Sequence, residues 1–181
     1  MNYSEAKIEH IDKKIVNILN KFATKEEIIY KKNHKGKKES RIYGLSKGIF
    51  FFGDTGIGKT FALHAIKHRL QDFGISVNLE KWVEMLLEFK DRMDYLRDSL
   101  NAICDKEVLM IDDLGTEKQT EWSQEILFII IDRIVSKNKT LFISTNLSLE
   151  EFQQKYGDRI FSRVMGVCEP YEMKGEDRRL A

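Results

Sequence analysis

Gly53-Asp54-Thr55-Gly56-Ile57-Gly58-Lys59-Thr60 carries the spacing G-x-x-x-x-G-K-[ST] of a phosphate-binding loop. Its flanks fit that reading. Gly48-Ile49-Phe50-Phe51-Phe52 is a short apolar run of the kind that forms a buried strand, and Phe61-Ala62-Leu63-His64-Ala65-Ile66 opens like a helix. A loop between a strand tip and a helix start turns backbone N–H groups toward an anion, and the helix dipole adds to the attraction. The spacing makes Gly53, Asp54, Thr55, Gly56, Ile57, Gly58, Lys59, Thr60 and the adjoining Phe61 the candidate nucleotide-binding set. Lys59 would reach the β- and γ-phosphates of ATP, and Thr60 would offer its hydroxyl to Mg²⁺. A glycine turn without a ligand is the plainer alternative, but it would bury an ammonium with no anion to offset the cost.

Further along, Val108-Leu109-Met110-Ile111 is an apolar run ending in Asp112-Asp113. In a parallel sheet, ligand groups gather at the carboxyl ends of strands, so a strand beside the first would bring both acids to the phosphates. Asp112 is the expected Mg²⁺-side acid, acting through water. Asp113 is the candidate for orienting or deprotonating the attacking water. Leu141-Phe142-Ile143 repeats the pattern with the polar tip Ser144-Thr145-Asn146, where Asn146 could bond the water or the γ-phosphate. The competing reading of Asn146 is an Asx turn that starts the next helix. Arg159 and Arg163 lie four apart, on one face if helical. They suit either an ion-pair ladder with Asp158 or a charge aimed at a neighbouring copy's nucleotide. Arg178 and Arg179 could reach phosphates within the same chain.

The rest of the chain supplies the frame. Ile8, Ile11, Ile15, Ile18, Leu19 and Phe22 fall at helical spacing between polar residues, predicting an amphipathic helix. Lys31, Lys32, Lys35, Lys37 and Lys38 crowd a glycine-containing stretch read as a loop and as a candidate DNA contact, against the plainer reading of a solvated basic loop. Strands are expected at 48–52, 75–79, 108–111 and 141–144, with a fifth near Val167. Helices are expected after the phosphate loop, from Lys81 to about Cys104, from Trp122 to Ser136, and from Leu149 to Tyr156 behind a Ser148 cap. Apolar strands alternating with helices predict an α/β fold with a parallel sheet covered on both faces. The expected organisation is an N-terminal unit at 1–46, helix plus basic loop, and a core at 47–181.

At 181 residues and 42% apolar, the chain can build one real core. A net charge of +1 argues against a bulk basic nucleic-acid binder and leaves only local patches. Cys104 and Cys168 share no metal-ligand spacing with any His cluster, so zinc is not expected. No apolar stretch approaches transmembrane length and the first residues do not read as a leader, so a cytoplasmic protein without membrane contact is expected.

Taken in order, these motifs resemble the AAA+ ATPases of the P-loop (ASCE) class, in particular the DnaC/DnaI-type helicase loaders and the IstB-type transposition ATPases. The resemblance runs from about Gly48 to the C-terminus. It rests on the Walker A loop Gly53–Thr60, the Walker B segment Asp112-Asp113-Leu114-Gly115, the sensor 1 residues Ser144-Thr145-Asn146, the segment Tyr156–Arg163 and the end Gly175–Arg179. It implies a three-layer sandwich with one strand between the Walker A and Walker B strands. It makes Arg163 the trans arginine finger with Arg159 as companion, and Arg178 a cis sensor 2, with Arg179 beside it. It also implies ATP and Mg²⁺ as cofactors, a homo-oligomer, single-stranded DNA and a replicative helicase.

Three departures from the family pattern bear on the expectations. Asp113 stands where many AAA+ proteins carry Glu, so hydrolysis is expected to be slow, with Glu117 near enough in sequence to assist. No full helical lid domain is expected after Arg179. The N-terminal part is short for a partner-binding domain. Three functions fit: a helicase loader assembling on single-stranded DNA, a transposition helper whose partner is a transposase, and, from another class, a nucleotide or small-molecule kinase. The S-T-N tip and the R-I-x-S-R run fit the kinase less well.

Overall fold

A computed structural model describes residues 6, 7, 13, 28–32, 38–42, 47–175 and 177, with the backbone alone at 28–32 and 38–42. Five strands form one parallel sheet: β3 (Gly48–Phe52), β4 (Val77–Lys81), β5 (Val108–Asp112), β6 (Thr140–Ser144) and β7 (Cys168–Glu172). Their order is β4-β5-β6-β3-β7. The acid-tipped β5 therefore does not adjoin the loop-bearing β3. β6 lies between them, as the family resemblance implied, so three chemically distinct strand tips stand side by side. Register fixes the alignment: Phe50 of β3 opposes Ile143, and Ile111 of β5 opposes the same residue. Pro170 is tolerated because β7 is an edge strand, paired only with β3.

The central strands are apolar on both faces because both faces are covered. Ile49, Phe51, Val108, Met110 and Phe142 face helix α1 (Lys59–Asp72) through Ala62, Leu63, Ala65 and Ile66. The alternate residues Phe50, Leu109, Ile111, Leu141 and Ile143 face α2 (Trp82–Asp91), α3 (Leu96–Asp105), α4 (Glu121–Ser136) and α5 (Leu149–Val167). This strict alternation along each strand makes the three-layer α/β sandwich. Ala6 is buried in the α1-side cluster, and its carbonyl lies 2.9 Å from His68 Nδ1 on α1.

Local chemistry sets most element ends. Thr120 and Ser148 each close a capping box, with Ser123 and Glu151 respectively, and start α4 and α5. Four expectations need correction. The second strand begins at Val77 rather than Ile75, because Ile75 is spent in the α1-side core before pairing with β5 starts. The helix expected over Lys81–Cys104 is broken after Asp91, where Arg92 leaves helical geometry and a 3₁₀ turn at Met93–Tyr95 links α2 to α3. The helix expected to stop at Tyr156 continues to Val167, bent at Gly157. The basic stretch is not loop throughout. β1 (Ile28–Lys32) and β2 (Lys38–Ile42) form an antiparallel pair with Lys31 opposite Glu39 and Lys32 opposite Lys38. Lys35 and Lys37, like Ile8, Ile11, Ile15 and Phe22 of the expected N-terminal helix, lie outside the described residues. Among the described residues no helix is long and apolar enough to cross a membrane.

α5 is joined to the β3 strand by the fully buried Phe152, whose ring meets Phe50 edge-on at a centroid distance of 4.9 Å. Phe152→Ala should therefore cost about 3–5 kcal/mol, read as a lower urea midpoint at unchanged slope. A loss below about 1 kcal/mol would mean that α5 is not part of the cooperative core.

Candidate nucleotide-binding site

The phosphate loop leaves β3 with Gly53, Gly56 and Gly58 all at positive φ, a sequence of turns that bulkier residues would resist. Gly58, at φ 102°, is the residue that starts α1, so the first free N–H groups of the helix follow directly on the loop. Lys59 is 5% exposed and its ammonium donates to the carbonyls of Gly53 and Asp54, both at 2.6 Å. A buried cation folded back over its own loop is placed for the anion that the loop's geometry recognises. Asp54 and Thr55 are exposed, Ile57 is buried, and Phe61 is half-buried against the α1-side core.

Across the sheet, Asp112 is 2% exposed at the end of β5. Its Oδ1 accepts from the Thr60 hydroxyl at 3.1 Å and from the Ser144 hydroxyl at 2.5 Å. Burial pushes the Asp112 carboxyl above the usual carboxylate range, with the neighbouring Asp113 acting in the same sense, while the two hydroxyl donors pull it back. Thr60 at the start of α1 and Asp112 at the tip of β5 thus converge on one point, the pairing of hydroxyl and carboxylate oxygen that suits Mg²⁺. The donor set fits ATP-Mg²⁺: loop, ammonium, hydroxyl and acid come from a single rim of the sheet.

Sequence reasoning names Ser144 as part of the sensor 1 tip but gives it no role of its own. Its hydroxyl donates to Asp112 and also accepts from the backbone N–H of Asp113 at 3.0 Å. Its carbonyl accepts from Leu114 N–H at 2.9 Å. The signal was available: a small hydroxyl residue ends the strand that lies next to the acid-tipped one. Asp113 follows with φ 54°, a left-handed conformation that Asp tolerates better than most residues, and its carboxylate makes no hydrogen bond among the described residues. Asn146 is exposed just past β6 and is likewise without a hydrogen bond among the described residues. The Asx-turn alternative is not what forms there: Thr145 Oγ1 accepts from Leu147 N–H at 3.1 Å, and Ser148 caps the helix.

The two arginines of α5 do not form the ladder with Asp158 that is the plainer of their two readings; Asp158 accepts from Gln153 instead. Both guanidiniums lie over the Phe128 ring of α4, at 3.9 Å for Arg159 and 4.9 Å for Arg163, and Arg163 Nε sits 3.4 Å from Asp132. Glu117 is not available to assist at Asp113. It is buried and committed to Tyr156, Lys155 and Gly115 N–H. Arg178 and Arg179 lie outside the described residues. The preceding Asp177 places its carboxylate against the loop, so close that a Cβ at Gly56 would fall 2.0 Å from its Oδ1.

The model of the IstB-like ATP binding protein family matches residues 44–181, which contain every element of this site. The chain belongs to that family. Among curated relatives, the replicative helicase loader DnaI of Bacillus subtilis is 28% identical over 151 residues, covering 75% of this chain and 49% of that protein. The replicative helicase loader DnaC of Escherichia coli K12 is 27% identical over 149 residues, covering 73% and 61%. The chain thus spans about half the length of the curated relatives it matches. A solved structure of DnaI superposes with a TM-score of 0.76 at 22% identity, over 98% of this chain and 92% of that one. A DnaC helicase loader gives 0.73 at 22%, over 95% and 98%. At that identity the superpositions establish the fold alone, a three-layer α/β sandwich around a parallel sheet.

A buried acid with a raised pKa opposes folding as pH climbs. The native state holds its proton at pH values where the unfolded chain has already lost it, so stability is lost as pH rises from the ordinary carboxylate range through the folded pKa. Without nucleotide or Mg²⁺, Asp112→Asn should therefore stabilise the fold at pH 7, read as a raised Tm. The gain should vanish below about pH 3, where the carboxyl is neutral in both states. Thermal melts across pH check this; an unchanged or lowered Tm at pH 7 would show that the two hydroxyl donors outweigh burial.

Proposed function

We propose that this chain is an ATP-hydrolysing AAA+ protein that assembles head to tail on single-stranded DNA and acts as a loader for a replicative helicase. The observation that carries the ATPase reading is the Thr60–Asp112–Ser144 cluster lying on the same strand rim as the Lys59 ammonium. Bound ATP-Mg²⁺ would supply the phosphoanhydride bond to be cleaved. Lys59 would neutralise the β- and γ-phosphates, and Thr60 and Asp112 would hold the metal. The carboxylate of Asp113, without a hydrogen bond among the described residues, accepts the proton of the attacking water, and Asn146 orients that water. Asp113 reaches one methylene less far than Glu would, in keeping with slow turnover.

The remaining positive charge comes from another copy. In their own chain Arg159 and Arg163 are held by Phe128 and Asp132 of α4, not by the phosphate loop. Presented to a neighbour, Arg163 would offset charge on the γ-phosphate with Arg159 beside it. A contact of that kind is heterologous and produces an open spiral when the rotation does not close. The helicase-loader role follows from the relatives named DnaI and DnaC, with Lys31, Lys32, Lys35, Lys37 and Lys38 as the proposed DNA-contacting set. The family model's IstB-like description favours a second reading, a transposition helper partnered by a transposase. Preference for single-stranded over duplex DNA separates the two.

ATPase rate should rise more than linearly with protein concentration and rise again with single-stranded DNA. Arg163→Ala should lower it by about 10³-fold, the scale of an arginine finger, with ATP affinity unchanged. Full specific activity in dilute monomer would rule out the trans finger. Phosphate transfer to a nucleoside monophosphate would favour the kinase reading.

A further inference from the structure

Apart from Asp112, Glu117 is the one buried acid among the described residues, its side chain 4% exposed. Its carboxylate draws three donors from two directions. From its own loop the Gly115 N–H donates at 3.0 Å. From α5 the Tyr156 hydroxyl donates at 2.6 Å, and the Lys155 ammonium lies 3.4 Å away. Lys155 doubles the link by donating to the carbonyls of Gly115 at 2.6 Å and Glu117 at 3.2 Å. The Lys155 carbonyl in turn accepts from Gln124 at 3.1 Å and from Gln119. Burial and the facing carboxylate push the Tyr156 phenol well above its usual range, so it remains a donor.

The two ends of this clamp are what matter. On one side, Gly115 is two residues past Asp113, whose N–H is fixed by the same Ser144 hydroxyl that holds Asp112. On the other, Tyr156 immediately precedes Gly157, where α5 bends at φ 78° and ψ 164°, a region essentially reserved for glycine. Arg159 and Arg163 follow the bend. Two apolar side chains would pin α5 to this loop without burying a charge. A carboxylate with directional donors instead sets the distance and angle between the acid tip and the bend.

We propose that Glu117 is a positioning residue for the trans reaction: by clamping Tyr156 and Lys155 to Gly115, it sets the pose in which the arginines beyond Gly157 are presented to a neighbouring copy. This rests on the trans-finger reading above, and the test separates the two. Three variants are mixed pairwise at assembling concentrations: Asp113→Asn, with a dead site and an intact finger; Arg163→Ala, with an intact site and no finger; and Glu117→Gln. Asp113→Asn with Arg163→Ala should recover activity, since one supplies the finger and the other the site. If that pair stays silent, the trans finger fails and the proposal with it.

Given that recovery, Glu117→Gln alone should lose at least tenfold in rate while binding ATP within about twofold of wild type. It should be rescued by Asp113→Asn but not by Arg163→Ala. Rescue by Arg163→Ala alone, no rescue by either, or undiminished activity would each overturn the proposal. Tyr156→Phe, which removes one hydroxyl and little packing, should follow the same pattern and serves if Glu117→Gln fails to fold.

Discussion

The buried carboxylate of Asp112 is the constraint around which this molecule is arranged. A carboxylate at 2% exposure is costly unless donors face it. The two that do, Thr60 and Ser144, come from α1 and β6. Supplying them requires β6 to stand between β3 and β5, with the ends of all three strands level. That order is the observed one, and it is maintained by cores on both faces of the sheet. The apolar strands, the early helix start at Lys59 and the hydroxyl at Ser144 are consequences of a single demand. An acid must be ready at the rim of a sheet otherwise too apolar to hold one.

Much of this was legible in the sequence, for definite reasons. A P-loop is read from short-range spacing, and its flanking strand and helix are fixed by local periodicity. Asp112-Asp113 and Ser144-Thr145-Asn146 stood out because polar tips on apolar runs mark the carboxyl ends of parallel strands. The sheet order was less accessible. Placing the acid strand directly beside the loop strand satisfies the same local pattern, and only the family resemblance inserted β6 between them. Element ends slipped where tertiary demands won, as at Ile75, which packs rather than pairs, and at Gly157, which bends a helix instead of ending it.

Other features were illegible for a physical reason: their partners are distant in sequence. Arg159 and Arg163 looked like an i,i+4 ladder because Asp158 was nearby, yet their actual surface is the ring of Phe128, some thirty residues away. Arginine stacks well on an aromatic face because its planar guanidinium is weakly hydrated, and that choice leaves no trace in helical spacing. Glu117 lies close enough in sequence to Asp113 to suggest that it assists there. Its side chain points instead into a hydrogen-bonded pocket made with Tyr156 and Lys155, nearly forty residues on.

The division of charge across the fold gives a physical reason for assembly. The loop of one chain brings a single buried ammonium to a ligand bearing several negative charges, and two nearby acids add to the negative side. Arg159 and Arg163, two of the arginines that could redress the balance, are stacked on α4, in the helical layer on the other face of the sheet from α1. Their stacking is compatible with service to another copy, because a guanidinium on a ring is pre-ordered yet keeps donors free. On the proposed reading, an isolated chain holds nucleotide with its charge only partly matched. Completion then depends on how closely two copies approach, and a template that gathers copies raises their effective concentration without a new contact at the site. On the proposed trans reading, the site would report neighbourhood as much as nucleotide.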